Sequence, residues 1–324
     1  MRIQPIDLDR PGELLTGLHD TYLAGYTHEP GPTFSLARFG VILGTRGGDD
    51  RVETWVMTDG GKVIGGYGLA LPQHDNPRMG WLFPLVVRPE LRGRGLGGEL
   101  FEHALGRLRA NGRSLLLSET PETGIGARFA RSHGMQVALR EARRTLDLRT
   151  ADWSALRAMR PEVEGYHLER FQGPAAPELL GDLATLMGGM NDAPRDASVE
   201  DAVYDADRLR AGEESISLGG QTSYTMIARR DSDGAPAGFT RICLAADRSN
   251  GWGHQTDTTV LREHRGHRLG LLLKIDNLLW LRESEPHLER IITWNATSNA
   301  HMLAINEAMG FELLDEWIEW RLTV

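Results

Sequence analysis

Lysine is almost missing from this chain: Lys62 and Lys274 are the only two, and arginine carries nearly all the positive charge. That pattern reads as a bias of coding composition rather than as chemistry. Cysteine is scarcer still. Cys243 stands alone, which excludes an intrachain disulfide framework and fits a reducing compartment. Its place between Ile242 and Leu244 reads as a packed core thiol rather than a nucleophile. A basic excess is also missing: 36 Lys and Arg face 45 Asp and Glu, for a formal net charge of −9. That argues against a general nucleic-acid binder, because no basic excess is present to neutralise phosphates. A small anionic ligand stays open, since local positive charge can sit inside a negative whole. No apolar run approaches the ~20 residues needed to cross a bilayer. Residues 1–15 lack the basic start and apolar stretch of a secretion signal. The expectation is a cytoplasmic protein, a monomer or homodimer, with no membrane and no nucleic-acid partner.

What is present is an ordinary globular composition, 40% hydrophobic and 25% charged, over 324 residues. That length allows two domains with cores of their own. Along the first half, periodicity predicts a strand at 2–7, helices at 12–26 and 35–43, and a hairpin of 52–58 with 63–71 around Asp59-Gly60-Gly61-Lys62. A strand at 81–87, a helix to about 110, a strand at 114–117, a helix at 125–133 and a strand at 136–148 follow. The second half repeats the order: strand 166–171, helices 177–188 and 199–211, a hairpin of 224–229 with 238–246, strand 254–261, a helix to about 283, strand 290–294, helix 300–309 and strand 311–322. The interval from Arg92 to Arg265 nearly equals that from Gly134 to Gly310. Internal duplication is the simplest account, with domains at 1–150 and 166–324 joined by a polar linker at 151–165. The fold class is α/β, an α+β mixed sheet built twice.

The chemistry concentrates in two loops. The first runs from Leu85, Val86 and Val87 through Pro89 to Arg92, Gly93, Arg94, Gly95, Leu96, Gly97 and Gly98. A strand stops at a proline, a run with almost no Cβ atoms follows, and an apolar helix begins. Glycines let successive N–H groups converge on one point, and the helix start adds its positive dipole end, which suits a pyrophosphate. The second loop, after Thr259 and Val260, reads Arg265, Gly266, His267, Arg268, Leu269, Gly270. Gly93-x-Gly95-x-x-Gly98, with Glu119 some 20 residues on, also matches a dinucleotide fingerprint. That motif normally follows a first strand, and about four strand candidates precede it here.

Val87-x-Pro89-x-x-Arg92-Gly93-x-Gly95-Leu96-Gly97 resembles the acyl-CoA loop of the GNAT superfamily of N-acetyltransferases, whose pattern is Gln/Arg-x-x-Gly-x-Gly/Ala after a valine-rich strand. His264-Arg265-Gly266-His267-Arg268-Leu269-Gly270 is similar, with Arg268 in place of the middle glycine. The stretch from Asn295 and Asn299 to Met309-Gly310-Phe311 is similar to the family's later strand–helix segment. The resemblance covers nearly the whole chain, twice. It implies two tandem GNAT-like domains that use acetyl-CoA as co-substrate, need no metal, and acylate a primary amine of a small molecule by direct attack on the thioester. A protein that only binds or senses acyl-CoA is the alternative, and a nucleotide-dependent oxidoreductase a more distant one.

In the resemblance, a carboxylate on or near the strand before the loop takes the amine proton. The first copy has Pro84 three residues before the strand valine; the second has Asp257, with His254 on the same strand. Asp257 and His254 are therefore the expected catalytic pair. The family's tyrosine position holds Ala130 in one copy and Asn306 in the other. Asn191 and Asp192 occupy the loop that usually covers the acceptor in the second copy, as His28 and Glu29 do in the first. His264-x-x-His267 lacks a third ligand at suitable spacing and reads as histidines beside phosphate. The tryptophans Trp252, Trp294, Trp317 and Trp320 read as packing, or as one wall of an acceptor pocket.

Overall fold

Helix and strand alternate twice along the computed structural model, which describes residues 1–27, 29–44, 50–248 and 250–324. The first copy runs β1 (Arg2–Pro5), α1 (Gly12–Tyr26), α2 (Leu36–Ile42), β2 (Arg51–Asp59), β3 (Lys62–Leu71), β4 (Met79–Val87), α3 (Leu96–Ala110), β5 (Leu115–Pro121), α4 (Ile125–Ser132) and β6 (Gln136–Asp147). Ser35 caps α2 as its position foretells, its Oγ accepting from Arg38 N at 3.2 Å. A helix that the sequence does not announce, α5 (Trp153–Met159), lies inside the expected linker, with the Asp152 carboxylate accepting from the first free amides.

The second copy runs β7 (Tyr166–Gln172), α6 (Leu180–Gly188), α7 (Ala206–Leu218), β8 (Gln221–Arg230), β9 (Pro236–Ala245), β10 (Trp252–Val260), α8 (Leu269–Ser284), β11 (Arg290–Ala296), α9 (Ala300–Ala308) and β12 (Glu312–Thr323). The helix expected at 199–211 is displaced toward the C-terminus. Ala202 N–H donates to Asn191 Oδ1 and its carbonyl accepts from Asn191 Nδ2, both at 2.9 Å. Glu200 N is taken by Asn76 Oδ1 at 2.7 Å. Backbone groups spent on side chains cannot join a helical ladder, so α7 starts where the Asp205 carboxylate caps it by accepting from Arg208 N.

The compact units are not contiguous stretches. One comprises Met1–Arg140, Asp196–Asp201 and Trp317–Val324; the other comprises Glu141–Arg195 and Ala202–Glu316. In the first, β1 to β4 form an antiparallel meander, β5 lies parallel to β4, and the end of β12 closes against β5 from Trp317↔Pro121 to Thr323↔Leu115. In the second, β7 to β10 repeat the meander, β11 lies parallel to β10, and the end of β6 closes against β11 from Glu141↔Ala296 to Arg290↔Asp147. Each copy's last strand thus ends in the other copy's sheet. A cut at 150 and 166 misses this because strand pairing between distant segments leaves no mark on local periodicity.

Two features position the sites. The parallel pairs are short: β4 meets β5 only over Met79–Trp81, and β10 meets β11 only from Trp252 to Gln255. Beyond those points the strands part, leaving a seam whose facing edges pair with no strand among the described residues. Each meander also shifts register at the same place, beside Phe83 and Pro84 in β4 and at Thr256 in β10. The following helices seal the sheets from below. Leu100, Phe101, Ala104, Leu105 and Leu108 of α3 are buried against Tyr67, Leu69 and Leu71 of β3, each large side chain contributing roughly 1.5–3 kcal/mol.

Candidate functional site

A cavity opens in each unit where the parallel strands part. The first unit's holds about 590 Å³, between residues 82–87 of β4 and 118–121 of β5. The second unit's holds about 810 Å³, between residues 255–260 of β10 and 293–296 of β11. Each is closed at one end by the Gly/Arg loop and the start of α3 or α8.

The loops have the same backbone. Gly93 and Gly95 lie at φ +77° and +83°, and Gly266 and Arg268 at φ +86° and +60°. Arg268 therefore replaces a glycine in sequence while keeping its left-handed conformation, at a cost of about 1–2 kcal/mol. A Cβ placed on Gly93 or Gly95 would meet nothing within 4 Å, so the space beside the loop is open at the helix dipole's positive end. Arg92 Nε donates to Val87 O at 3.1 Å, and Arg265 Nε to Val260 O at 3.0 Å. Both loops thus tie an arginine to the end of the preceding strand. The chemistry of these donors fits a pyrophosphate.

Of the residues expected to hold that group, Leu85, Val86, Val87, Arg92, Gly93, Gly95, Leu96, Gly97 and Gly98 line the first cavity. Thr259, Val260, Arg265, Gly266, Arg268, Leu269, Gly270, Asn295 and Asn299 line the second. Arg94 and His267 line neither. The His267 ring packs 5.5 Å from that of Tyr166, and the buried His264 has its Nδ1 3.0 Å from the same tyrosine's hydroxyl. The two histidines form an aromatic cluster with Tyr166. Asn299 caps α9, accepting from Met302 N, and Asn295 Oδ1 accepts from Asn306 Nδ2 at 2.7 Å.

The acceptor-loop residues have other duties. Asn191 is spent on the backbone of Ala202. The Asp192 carboxylate, pulled down to about 2 by Arg262 and then Arg265, bridges those two arginines. It lines the second cavity as the partner of its loop arginine. Gly189, at the start of the same turn, sits so close to β10 that a Cβ would lie 2.9 Å from Thr259 Oγ1. Glu29 lines the first cavity; His28 lies outside the described residues.

The two expected catalytic residues separate. Asp257 lines the second cavity just past the bulge, half-buried, and no hydrogen bond or ion pair engages its carboxylate among the described residues. His254 does not line it; its ring stacks on Trp294, with centroids 6.1 Å apart and planes 11° apart. Trp294 does form part of the wall, while Trp320 lines the first cavity with its Nε1 donating to Thr120 Oγ1 at 2.9 Å.

Sequence reasoning missed what lies beneath β10. Lys274 of α8 is fully buried, and its Nζ donates to Gln255 Oε1 at 3.0 Å. Gln255 Nε2 in turn donates to Arg241 O at 2.9 Å and Thr240 Oγ1 at 2.8 Å, at the bulge that takes Thr256 out of the ladder. The first copy has Leu82 and Phe101 at the corresponding places. One seam floor is polar and the other apolar. The rarity of lysine was the one sequence signal available.

Burial lowers Lys274 to about 7. Below that pH both folded and unfolded chains hold the proton, and the full desolvation cost falls on the fold. Between about 7 and 10.5 the folded chain sheds it first, so the unfolded state binds more protons and stability rises with pH. Lys274→Met removes this term. Its melting temperature relative to the parent is expected to be highest near pH 6–7 and to drop steadily by pH 10, at up to about 1.4 kcal/mol per pH unit. A difference that stays flat over that range contradicts the assignment.

The sequence model of the Acetyltransferase (GNAT) family matches residues 14–135. No sequence among the curated proteins matches the chain. Among solved structures, a tandem GNAT protein from the clavulanic acid biosynthesis pathway is similar over 99% of this chain and 98% of its own, at 27% identity and a TM-score of 0.84. A GCN5-related N-acetyltransferase from Sphaerobacter thermophilus is similar in fold over 99% of this chain and 95% of its own, at 13% identity and a TM-score of 0.67.

Proposed function

Because the chain belongs to the GNAT acetyltransferase superfamily, in its tandem-domain arrangement, we propose that it transfers an acetyl group from acetyl-CoA to a primary amine of a small molecule, and that transfer takes place in the second cavity. One observation carries the reading: both units contain the seam and the phosphate cradle, yet of the two strands that lead into the cradles, β10 carries a carboxylate into its cavity and β4 does not. β4 has no ionisable side chain between Met79 and Val87.

The second unit's own groups supply what the reaction needs. The open edges of β10 and β11 offer backbone donors and acceptors to an extended pantetheine arm, and Arg265 with the start of α8 meets the pyrophosphate. The acceptor reacts as its free base, an ammonium first releasing one proton to solvent; the amine nitrogen then attacks the thioester carbonyl, a C–N bond forms, and the C–S bond breaks. The nitrogen's proton passes to the Asp257 carboxylate and returns to the leaving thiolate, so charge and protons balance. Asn306 stands at the position where the family places a tyrosine, and an amide cannot act as that acid; solvent relays the proton from Asp257 to the thiolate. Holding the reactants in this geometry and accepting one proton supply the rate enhancement.

The first unit is proposed to bind acyl-CoA without transferring. Glu119 at the end of β5 does line its cavity, so transfer there is the competing reading. Incubating the protein with acetyl-CoA and a panel of primary amines, and following free thiol, tests the function. Amine-dependent thiol release supports it; none with any amine, despite bound acetyl-CoA, leaves the binding protein as the correct reading.

A further inference from the structure

Strand exchange puts one more carboxylate in the second cavity. Glu141 belongs by sequence to the last strand of the first copy, yet in the structure it stands opposite Ala296 of β11 and lines the cavity with Asp257, Trp294 and Asn295. The corresponding residue of the other exchanged strand is Trp317, opposite Pro121. Trp317 does not line the first cavity, whereas Glu141 lines the second.

Glu141 has no counter-charge of its own. Its neighbour two residues on, Arg143, directs its guanidinium to Asp315 and lies over the Trp294 ring, 5.4 Å from its centroid. Among the described residues no hydrogen bond or ion pair engages Glu141. Burial alone pushes its carboxyl up from the usual range. Arg265 on the same wall is bonded to Asp192, and Lys274 to Gln255. A carboxylate withdrawn from water without a cation is costly, and a ligand that brings the cation removes the cost.

We propose that Glu141 binds the ammonium group of the acceptor, and that the acceptor is therefore an aliphatic amine, cationic at neutral pH, rather than an aromatic or otherwise neutral one. The inference rests on the second cavity being the acceptor site. It gives Glu141 a role in selection, distinct from the proton-accepting role of Asp257.

The test is calorimetric titration of the CoA-loaded protein with matched aliphatic and aromatic amines, parent against Glu141→Gln and Glu141→Asp. This measures binding whether or not transfer occurs, so a failure of the transferase reading shows separately as absent thiol release. The parent is expected to prefer aliphatic amines. Glu141→Gln should weaken them at least tenfold while leaving aromatic amines within about twofold, with Glu141→Asp recovering part of the loss. In thiol-release assays the same loss should fall on KM, with kcat changed by less than about threefold. Equal weakening of both amine classes, no weakening, or no aliphatic amine bound by the parent overturns the inference. Circular dichroism and an unchanged CoA affinity establish that the near-isosteric Gln variant is folded.

Discussion

Asp257→Asn is expected to lower kcat for amine acylation by about 10²–10³-fold while leaving acyl-CoA affinity within about twofold. That range is what a positioned general base contributes. The variant suits the question because amide and carboxylate have the same shape. The local backbone is held without the Asp257 side chain: its carbonyl accepts from Thr258 Oγ1 at 2.8 Å and Thr240 Oγ1 at 3.3 Å. The bulge is held by Gln255, itself held by Lys274. Loss of activity therefore reports the lost proton acceptor rather than a collapsed strand. Measured by thiol release at saturating amine, an unchanged kcat removes Asp257 from the mechanism and directs attention to Glu119 in the first cavity.

The second large effect concerns stoichiometry. Gly97 and Gly270 occupy the same position in the first turn of α3 and α8, and each lines its own cavity. Neither has a left-handed backbone, and a Cβ would meet its nearest neighbour at 3.3 Å for Gly97 and 3.7 Å for Gly270. Aspartate is therefore tolerable at both to within a small shift of the Phe129 ring. A carboxylate there opposes a pyrophosphate directly, since like charges at about 4 Å repel by several kcal/mol at a protein surface. Calorimetric titration with acetyl-CoA is expected to give two sites for the parent and one for each of Gly97→Asp and Gly270→Asp, the lost site weakened at least a hundredfold. Two sites retained in either variant contradict the pyrophosphate assignment of that loop.

The elements, the duplication and the fold class were legible because they are local or periodic: α1 and the hairpin of β2 with β3 follow from apolar spacing and one Asp-Gly-Gly turn. The displaced α7 was not, since Asn191 and Asn76 reach the backbone of Ala202 and Glu200 from distant positions. The loops announced themselves through glycine and arginine, and Arg268 shows where that signal stops, its conformation surviving the loss of its glycine. Asp257 could be named from its place before a strand valine. Glu141 and the Gln255–Lys274 pair could not, because β6 reaches β11 only by crossing between units and Lys274 meets β10 only through packing. Asp192 was nameable, but its bonds to Arg262 and Arg265 were not.

The central claim is that two similar cradles serve one transfer site. Steady-state thiol release by Gly97→Asp and Gly270→Asp, at saturating acetyl-CoA and an aliphatic amine, tests it most directly. The account predicts that Gly97→Asp keeps turnover within about threefold of the parent, while Gly270→Asp loses it at least a hundredfold. The reverse pattern, or equal loss in both, would place the chemistry in the first cavity or in both.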